Sequence, residues 1–272
     1  MQHWTPYACR CVARALQPLG RTALLVPLLL LAMAPVAQAT DAPALKPYQL
    51  QYLTRAYGMS MAMDRELAQQ DNGLWTLTNG GSVMLAGFTE TARFAVAGGS
   101  LFPASYVFRG RGLAGRPREV HFDHGKEVIR SLHRNTWHEL PYGDNTLDRL
   151  SQQEQLRLTL LRAADPRQDF AIEIADGRKI KQYVIAYQGE ALVSTPLGEI
   201  PTLHFMRERQ AVDGDVDPDE RSEIWLAPDW DFLIVRMVHE DNGRPIEATL
   251  TGGTLGTQPL QLPPALSSAN RR

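Results

Sequence analysis

Four histidines crowd one stretch of this chain, His121, His124, His133 and His138, with Asp123 beside them. Imidazole nitrogens and a carboxylate are the donors of a zinc-type site. The spacing works against one. On a strand, residues i and i+3 face opposite sides, and His124 falls in the turn Asp123-His-Gly125. A second set, Asp213-x-Asp215-x-Asp217-x-Asp219, has the alternating acids of a calcium loop. Pro218 stands where that loop needs glycine, however, and Ile224 where it needs the closing glutamate. A solvated hairpin loop is expected instead. Neither G-x-S-x-G nor H-E-x-x-H occurs, and Ser82, Ser105, Ser131 and Ser222 have no telling context. No catalytic residue, metal or cofactor is assigned. A triad or carboxylate pair assembled from distant positions leaves no mark in one sequence, so a hydrolase with unmarked residues stays as the weakest alternative.

Two other groups suit binding. Met59, Met61 and Met63 form a flexible, polarizable stripe at period two. If the sheet carrying them curves, Tyr52, Trp75, Phe88 and Trp225 can line the same cavity; otherwise all of them fill a dry core against Leu147–Leu161. Arg109, Arg111, Arg116 and Arg118 lie in or beside the glycine-rich stretch 110–115. They are placed to clamp a phosphate or carboxylate of a ligand or partner, with an exposed loop as the plainer reading.

The elements that must hold these residues are mostly strands. Tyr48-Gln-Leu-Gln-Tyr52 alternates apolar and polar, as do 59–64 and 74–78 around the turn Asp71-Asn-Gly73. Further strands are expected near 82–96, 102–109, 118–122 and 126–132. The second half continues with 170–174, 179–187, 192–195, 200–207, 221–226, 232–239 and 246–250. Turns are read at Asp176-Gly177, Gln188-Gly189-Glu190 and Pro196-Leu-Gly198. One segment differs: Leu147, Leu150, Leu158 and Leu161 recur at helical spacing. Ser151 with Glu154 reads as a capping box, and Ala163-Ala-Asp-Pro166 ends the run. The expected fold is mainly β, an antiparallel meander with one inserted helix at about 151–163. Trp225-Leu-Ala-Pro228 reads as a structural strand end.

The first 39 residues read as a signal peptide. Arg10, Arg14 and Arg21 precede the apolar run from Thr22 to Ala34, and Ala37-Gln38-Ala39 is an A-x-A cleavage signature. Pro27 and Pro35 interrupt a run already short for a membrane span. Cleavage after Ala39 leaves 233 of the 272 residues, and Cys9 and Cys11 depart with the leader. A cysteine-free chain suits an oxidising compartment, and a periplasmic location is expected, with no membrane span after cleavage. Losing three arginines takes Lys+Arg from 28 to 25 against 30 Asp+Glu, a net charge of about −5. Such a chain has no electrostatic reason to bind nucleic acid. The expected parse is a single domain over 40–255 and a flexible tail over 256–272.

Several pieces resemble the DUF3108 family of exported bacterial proteins of unknown function. In order they are Tyr48-x-Leu-x-Tyr52, Asp148-Arg-Leu-Ser151, Asp176-Gly-Arg-Lys179, Thr195-Pro-Leu-Gly198 and Trp225-Leu-Ala-Pro228. The resemblance spans roughly Tyr48 to Leu250. It implies an envelope location and a curved, open, barrel-like sheet with the helix in its concave face, similar to periplasmic lipid-binding folds. It implies no catalytic residues. The first functional expectation is a non-enzymatic periplasmic protein that binds a lipid or other apolar ligand, or assists envelope assembly. The second is an interaction module with a solid core, binding an envelope protein through strand edges or the arginine-bearing loop.

Overall fold

A computed structural model describes residues 44–83, 86–112, 116–210, 221–241 and 243–262. The segment read as a signal peptide, the acidic loop Asp213–Glu220, residues 113–115 of the glycine-rich stretch and the last ten residues lie outside them. The first eight strands among the described residues are β1 (Tyr48–Ala56), β2 (Met59–Gln69), β3 (Trp75–Val83), β4 (Ala86–Ala97), β5 (Ser100–Arg111), β6 (Arg118–Asp123), β7 (Val128–His133) and β8 (Thr136–Pro141). They form one antiparallel meander outward from β1. The short β9 (Thr146–Leu147) and the helix α1 (Ser151–Arg162) follow. The second meander is β10 (Phe170–Asp176), β11 (Lys179–Thr195), β12 (Gly198–Arg209), β13 (Ser222–Ala227), β14 (Leu233–Asp241) and β15 (Arg244–Leu255). It returns until β15 pairs with β1, so the two meanders join in the middle of one open sheet.

The sheet is bent nearly into a barrel. Bulges interrupt β1 against β15, β4 against β5, β11 against β12 and β13 against β14, and each adds local twist and bend. Only residues 142–145 separate β8 from β9, which lie at opposite edges of the sheet. Five Cα steps reach at most about 18 Å, so the edges must approach one another. β7 comes near β10 and β8 near β11, without a ladder between them.

Three expectations change. The turn read at Gln188-Gly189-Glu190 is a bulge inside one 17-residue strand, β11, with Gly189 at φ +125. The meander is not purely antiparallel, because β9 pairs parallel with β10. The segment read as a tail begins with β16 (Gln258–Pro259), which pairs with β15, and Leu260 is buried.

The helix occupies the concave face, and polar as well as apolar residues of it are buried. Leu156 and Leu160 pack on Ile185, Phe205, Ile224 and Leu226, while Leu150 and Leu158 join the main core. Each such leucine contributes about 1.5–3 kcal/mol by leaving water. Glu154 is 1 % exposed yet ionic: Arg65 Nη2 donates to one carboxylate oxygen at 3.0 Å and Arg157 Nη1 to the other at 2.7 Å. The Tyr48 hydroxyl also donates to Glu154 and accepts from Arg65 Nε. Arg157 Nε donates to the Asp231 carbonyl at 2.8 Å. Asp231 and Phe232 both hold positive φ (51 and 56) just after the short 3-10 turn Pro228–Trp230 that follows Trp225-Leu-Ala. The motif is therefore followed by a strained turn in which the Asp231 carbonyl anchors a helix arginine.

Glu154→Ala leaves two buried arginines without their counterion. It should cost about 3–5 kcal/mol, read as a fall in the urea midpoint. Gly253 sits at φ +146 where β1 and β15 join, and an added Cβ there collides with the Gln49 carbonyl oxygen and the Leu50 backbone. Gly253→Ala should destabilise by on the order of 3 kcal/mol. Gly252→Ala, whose Cβ meets only the Gln51 side chain at 3.9 Å, should change little in the same titration.

Candidate functional site

One end of the near-barrel is left open above the start of α1, as a pocket of about 530 Å³. The inward phase of each strand supplies its walls. Met61 and Met63 of β2, Phe88 of β4 and Phe108 of β5 form an apolar side, and the two phenylalanine rings stack at 6.1 Å. Gln152 and Gln153 of α1 face the pocket, with Thr54 of β1 beside them. Arg118 of β6, Arg149 before α1 and Arg207 of β12 supply a cationic side, with Arg116 beyond.

The polar groups fall into satisfied and unsatisfied sets. Glu90 accepts from the Tyr106 hydroxyl at 2.7 Å and from Asn79 Nδ2 at 3.2 Å. Burial, and then the Glu90 charge, push the Tyr106 hydroxyl well above its ordinary pKa, so it stays a donor. Asn79 in turn accepts from Arg65, which links the pocket to the helix anchor. Arg149 pairs with Asp176 at 3.1 Å, and Lys181 reaches the same oxygen at 2.8 Å. Burial alone would raise the Asp176 carboxyl, but Arg149 and Lys181 outweigh it and hold it far below the usual carboxylate range. By contrast, the Thr54 hydroxyl and the Gln152 side-chain carbonyl are buried with no partner among the described residues. Buried polar groups are normally bonded, so these two mark space for a polar visitor.

The residues singled out from sequence divide cleanly. Met61, Met63, Phe88, Arg116 and Arg118 come together in the pocket. Tyr52 and Trp75 are buried in the core, Tyr52 donating to the Ile234 carbonyl at 2.7 Å. Met59 lies at the hairpin tip, 47 % exposed. Trp225 points away from the pocket: it stacks on His204 at 4.3 Å with Arg236 over its ring at 4.7 Å. Arg109 is exposed and paired with Glu119, and Arg111 is exposed at the end of β5. The four histidines do not gather at one point, although the His133 and His138 rings lie 6.4 Å apart. His121 contacts Glu119, whereas His124 contacts the Tyr142 hydroxyl and the Pro103 carbonyl. Among the described residues no three His, Cys, Asp or Glu side chains gather as a metal site.

Sequence reasoning missed Arg65, Asn79, Glu90, Arg149, Gln152 and Arg207. A signal existed for several. Arg65 falls in phase with Met61, Met63 and Leu67, Asn79 with Trp75 and Leu77, and Glu90 with Phe88 and Ala92. A polar residue on the apolar phase of a strand is buried with it.

The helix entry also differs from expectation. The capping box Ser151–Glu154 does not form, because Glu154 is committed to Arg65 and Arg157. Asp148 Oδ1 instead accepts from the backbone N–H groups of Leu150 and Ser151, each at 2.8 Å. Burial pushes the Asp148 carboxyl up to about 6 despite those bonds. A raised folded-state value means that the folded chain holds a proton the unfolded chain releases. The stabilisation is full below the unfolded value near 4 and is lost as pH rises through about 6. Asp148→Asn keeps the accepting oxygen and removes the titration. Relative to wild type it should gain on the order of 2–3 kcal/mol between pH 4 and pH 7, measured by urea unfolding at both pH values.

A larger cleft, about 670 Å³, lies on another side of the helix by the sheet edges. Asp144, Asp169 and Glu173 line it, with no lysine or arginine and no unpartnered buried side-chain atom among its described residues.

Comparison with solved structures places this geometry. A β-barrel-like protein of the DUF1849 domain of unknown function, from Brucella abortus, superposes with a TM-score of 0.53 at 9 % identity. The match covers 78 % of this chain and 98 % of that one, and shows the fold alone. MucB matches with a TM-score of 0.30 at 13 % identity, over 81 % of this chain and 57 % of its own. A DUF1329 family protein from Desulfovibrio piger gives 0.25 at 10 %, over 79 % and 88 %. No curated protein matches the sequence. The sequence pattern of the DUF3108 family, described as proteins of unknown function, matches residues 48–251. That stretch contains the whole near-barrel from β1 to most of β15, and the chain belongs to the DUF3108 family.

Proposed function

We propose that the protein is an exported, non-enzymatic binding protein of the bacterial envelope that holds a lipid-like ligand in the pocket at the open end of the near-barrel. One observation carries it. A pocket of about 530 Å³ combines an apolar wall of Met61, Met63, Phe88 and Phe108 with two buried polar atoms, on Thr54 and Gln152, that have no partner among the described residues. Small-molecule sites have this volume and this mixture of apolar wall and few polar points. A solid core would have filled the space, since empty volume forfeits dispersion contacts. The methionines suit a flexible chain, because their unbranched side chains adapt to irregular shapes. Export is supported by the leader pattern before Thr40, the A-x-A site and the loss of both cysteines with it.

Expression of the full chain, recovery from the periplasm and native mass spectrometry test both parts. The expected mass starts at Thr40 and carries an organic-extractable adduct near one per chain. Met61→Trp, which fills the pocket from its wall, should abolish the adduct while leaving the melting temperature within a few degrees. A clean apo mass that also takes up no apolar fluorescent probe would contradict the proposal.

A further inference from the structure

We propose that the rim of turns around the pocket mouth docks on the surface of a phospholipid bilayer, with Tyr57, Met59 and Trp137 entering the headgroup layer and exposed arginines meeting lipid phosphates. The pocket reading is needed only for what this contact delivers; the docking itself stands on the rim.

The ladder places the rim. Neighbouring strands from β1 to β8 and from β10 to β15 are antiparallel, and β15 is antiparallel to β1. Successive turns therefore fall alternately at two ends of the sheet. The end with the pocket mouth carries the turns β1–β2, β5–β6, β7–β8, β10–β11 and β14–β15. Five large apolar side chains are exposed among the described residues, and three of them lie here. Tyr57 and Met59 flank the tip of the β1–β2 turn, each 47 % exposed, and Trp137 follows the β7–β8 turn, 43 % exposed. Tyr57 also lines the pocket, and Arg244 lies over its ring at 6.0 Å. Tyr57 and Gly58 both hold positive φ, 52 and 77. A bulky residue is strained in that conformation, where asparagine sits easily. Turn geometry therefore does not account for a tyrosine at this tip; its side chain does.

The cations repeat the pattern. Exposed arginines sit at four of these turns: Arg111 and Arg116 at β5–β6, Arg134 at β7–β8, Arg178 at β10–β11 and Arg244 at β14–β15. The exposed acids Glu208 and Glu240 lie near the same end. The opposite end is acidic, with Asp71, Glu127, Asp144, Asp169 and Asp229 exposed. Its Lys46, Lys126 and Arg167 are each paired with a carboxylate. Among the described residues charge is thus split along the barrel axis, which orients a molecule at a charged surface. The apolar and cationic groups come from turns of both meanders and ring the mouth. A flat, extended partner meets such a ring all round. A headgroup layer offers phosphates to arginine and an apolar–polar boundary to tyrosine, tryptophan and methionine. With the rim so docked the mouth faces lipid, and a chain enters the pocket without crossing water.

Flotation of the purified protein with vesicles of phosphatidylcholine, and of an equal mixture of phosphatidylcholine and phosphatidylglycerol, tests this. Binding to the mixed vesicles is expected, about ten-fold tighter than to phosphatidylcholine alone and weaker in high salt. Met59→Asp combined with Trp137→Ser should weaken binding to both vesicles about five-fold or more. Arg111→Glu with Arg178→Glu and Arg244→Glu should remove the preference for the mixed vesicles. None of these positions lines the pocket, so the adduct seen by native mass spectrometry should stay. The acidic loop Asp213–Glu220 joins β12 to β13 at this same end, and replacing it with a Gly-Ser linker should tighten binding to the mixed vesicles. Failure to bind either vesicle, by a protein that still carries its adduct, would overturn the docking and leave the pocket standing. Binding that the rim variants do not weaken, or that the loop replacement abolishes, would overturn it by placing the contact elsewhere. Vesicle binding through the rim by a protein that takes up no ligand would keep the docking surface and remove the pocket reading.

Discussion

The fold depends on one buried carboxylate. Glu154 sits inside the curved sheet, where an isolated charge would be costly. It is held by Arg65 from β2, by Arg157 from its own helix and by the Tyr48 hydroxyl from β1. Burial alone would raise its carboxyl, but Arg157 and then Arg65 hold it below the ordinary range. Because one partner comes from the sheet and one from the helix, the contact fixes both the depth and the rotation of α1. An apolar seam could let the helix slide by a turn; a paired charge with directional bonds cannot. Arg157 extends the tie to the Asp231 carbonyl in the second meander.

The pocket follows from that fixed position. The helix runs only from Ser151 to Arg162 and enters capped by Asp148, so it does not fill the end of the sheet where Met61, Phe88 and Arg118 point inward. The polar chain from Glu154 through Arg65 and Asn79 to Glu90 then connects anchor and pocket floor. The same residues that hold the helix thereby shape the site. The two sheet edges are joined by a short crossover and by side-chain approach, with no ladder. That arrangement leaves arginines of both meanders on one wall.

Much of the architecture was legible in the sequence. Period two at Tyr48–Tyr52 and Met59–Met63 marks strands, and the leucine spacing marks the helix within a residue of its end. The family resemblance anticipated the open, curved sheet. Closure onto β1 was not legible, because pairing between β1 and β15 joins residues about two hundred positions apart and leaves no local pattern. The capping box failed for a physical reason: Glu154 has stronger partners in Arg65 and Arg157 than a backbone N–H. The Gly189 turn became a bulge because a positive φ suits either. Of the pocket, the apolar half was visible as the methionine stripe with Phe88, and Arg116 and Arg118 as flanks of a glycine-rich loop. Its deeper half, Arg149, Gln152 and Arg207, gathers only when the sheet bends.

Hydrogen exchange of the purified protein tests most directly whether α1 is a fixed strut beside the pocket or a gate over it. A strut locked through Glu154 predicts that amides 155–160 exchange as slowly as those of β1, through global unfolding alone. Exchange of those amides well ahead of β1, through a local opening that the intact sheet survives, would contradict it.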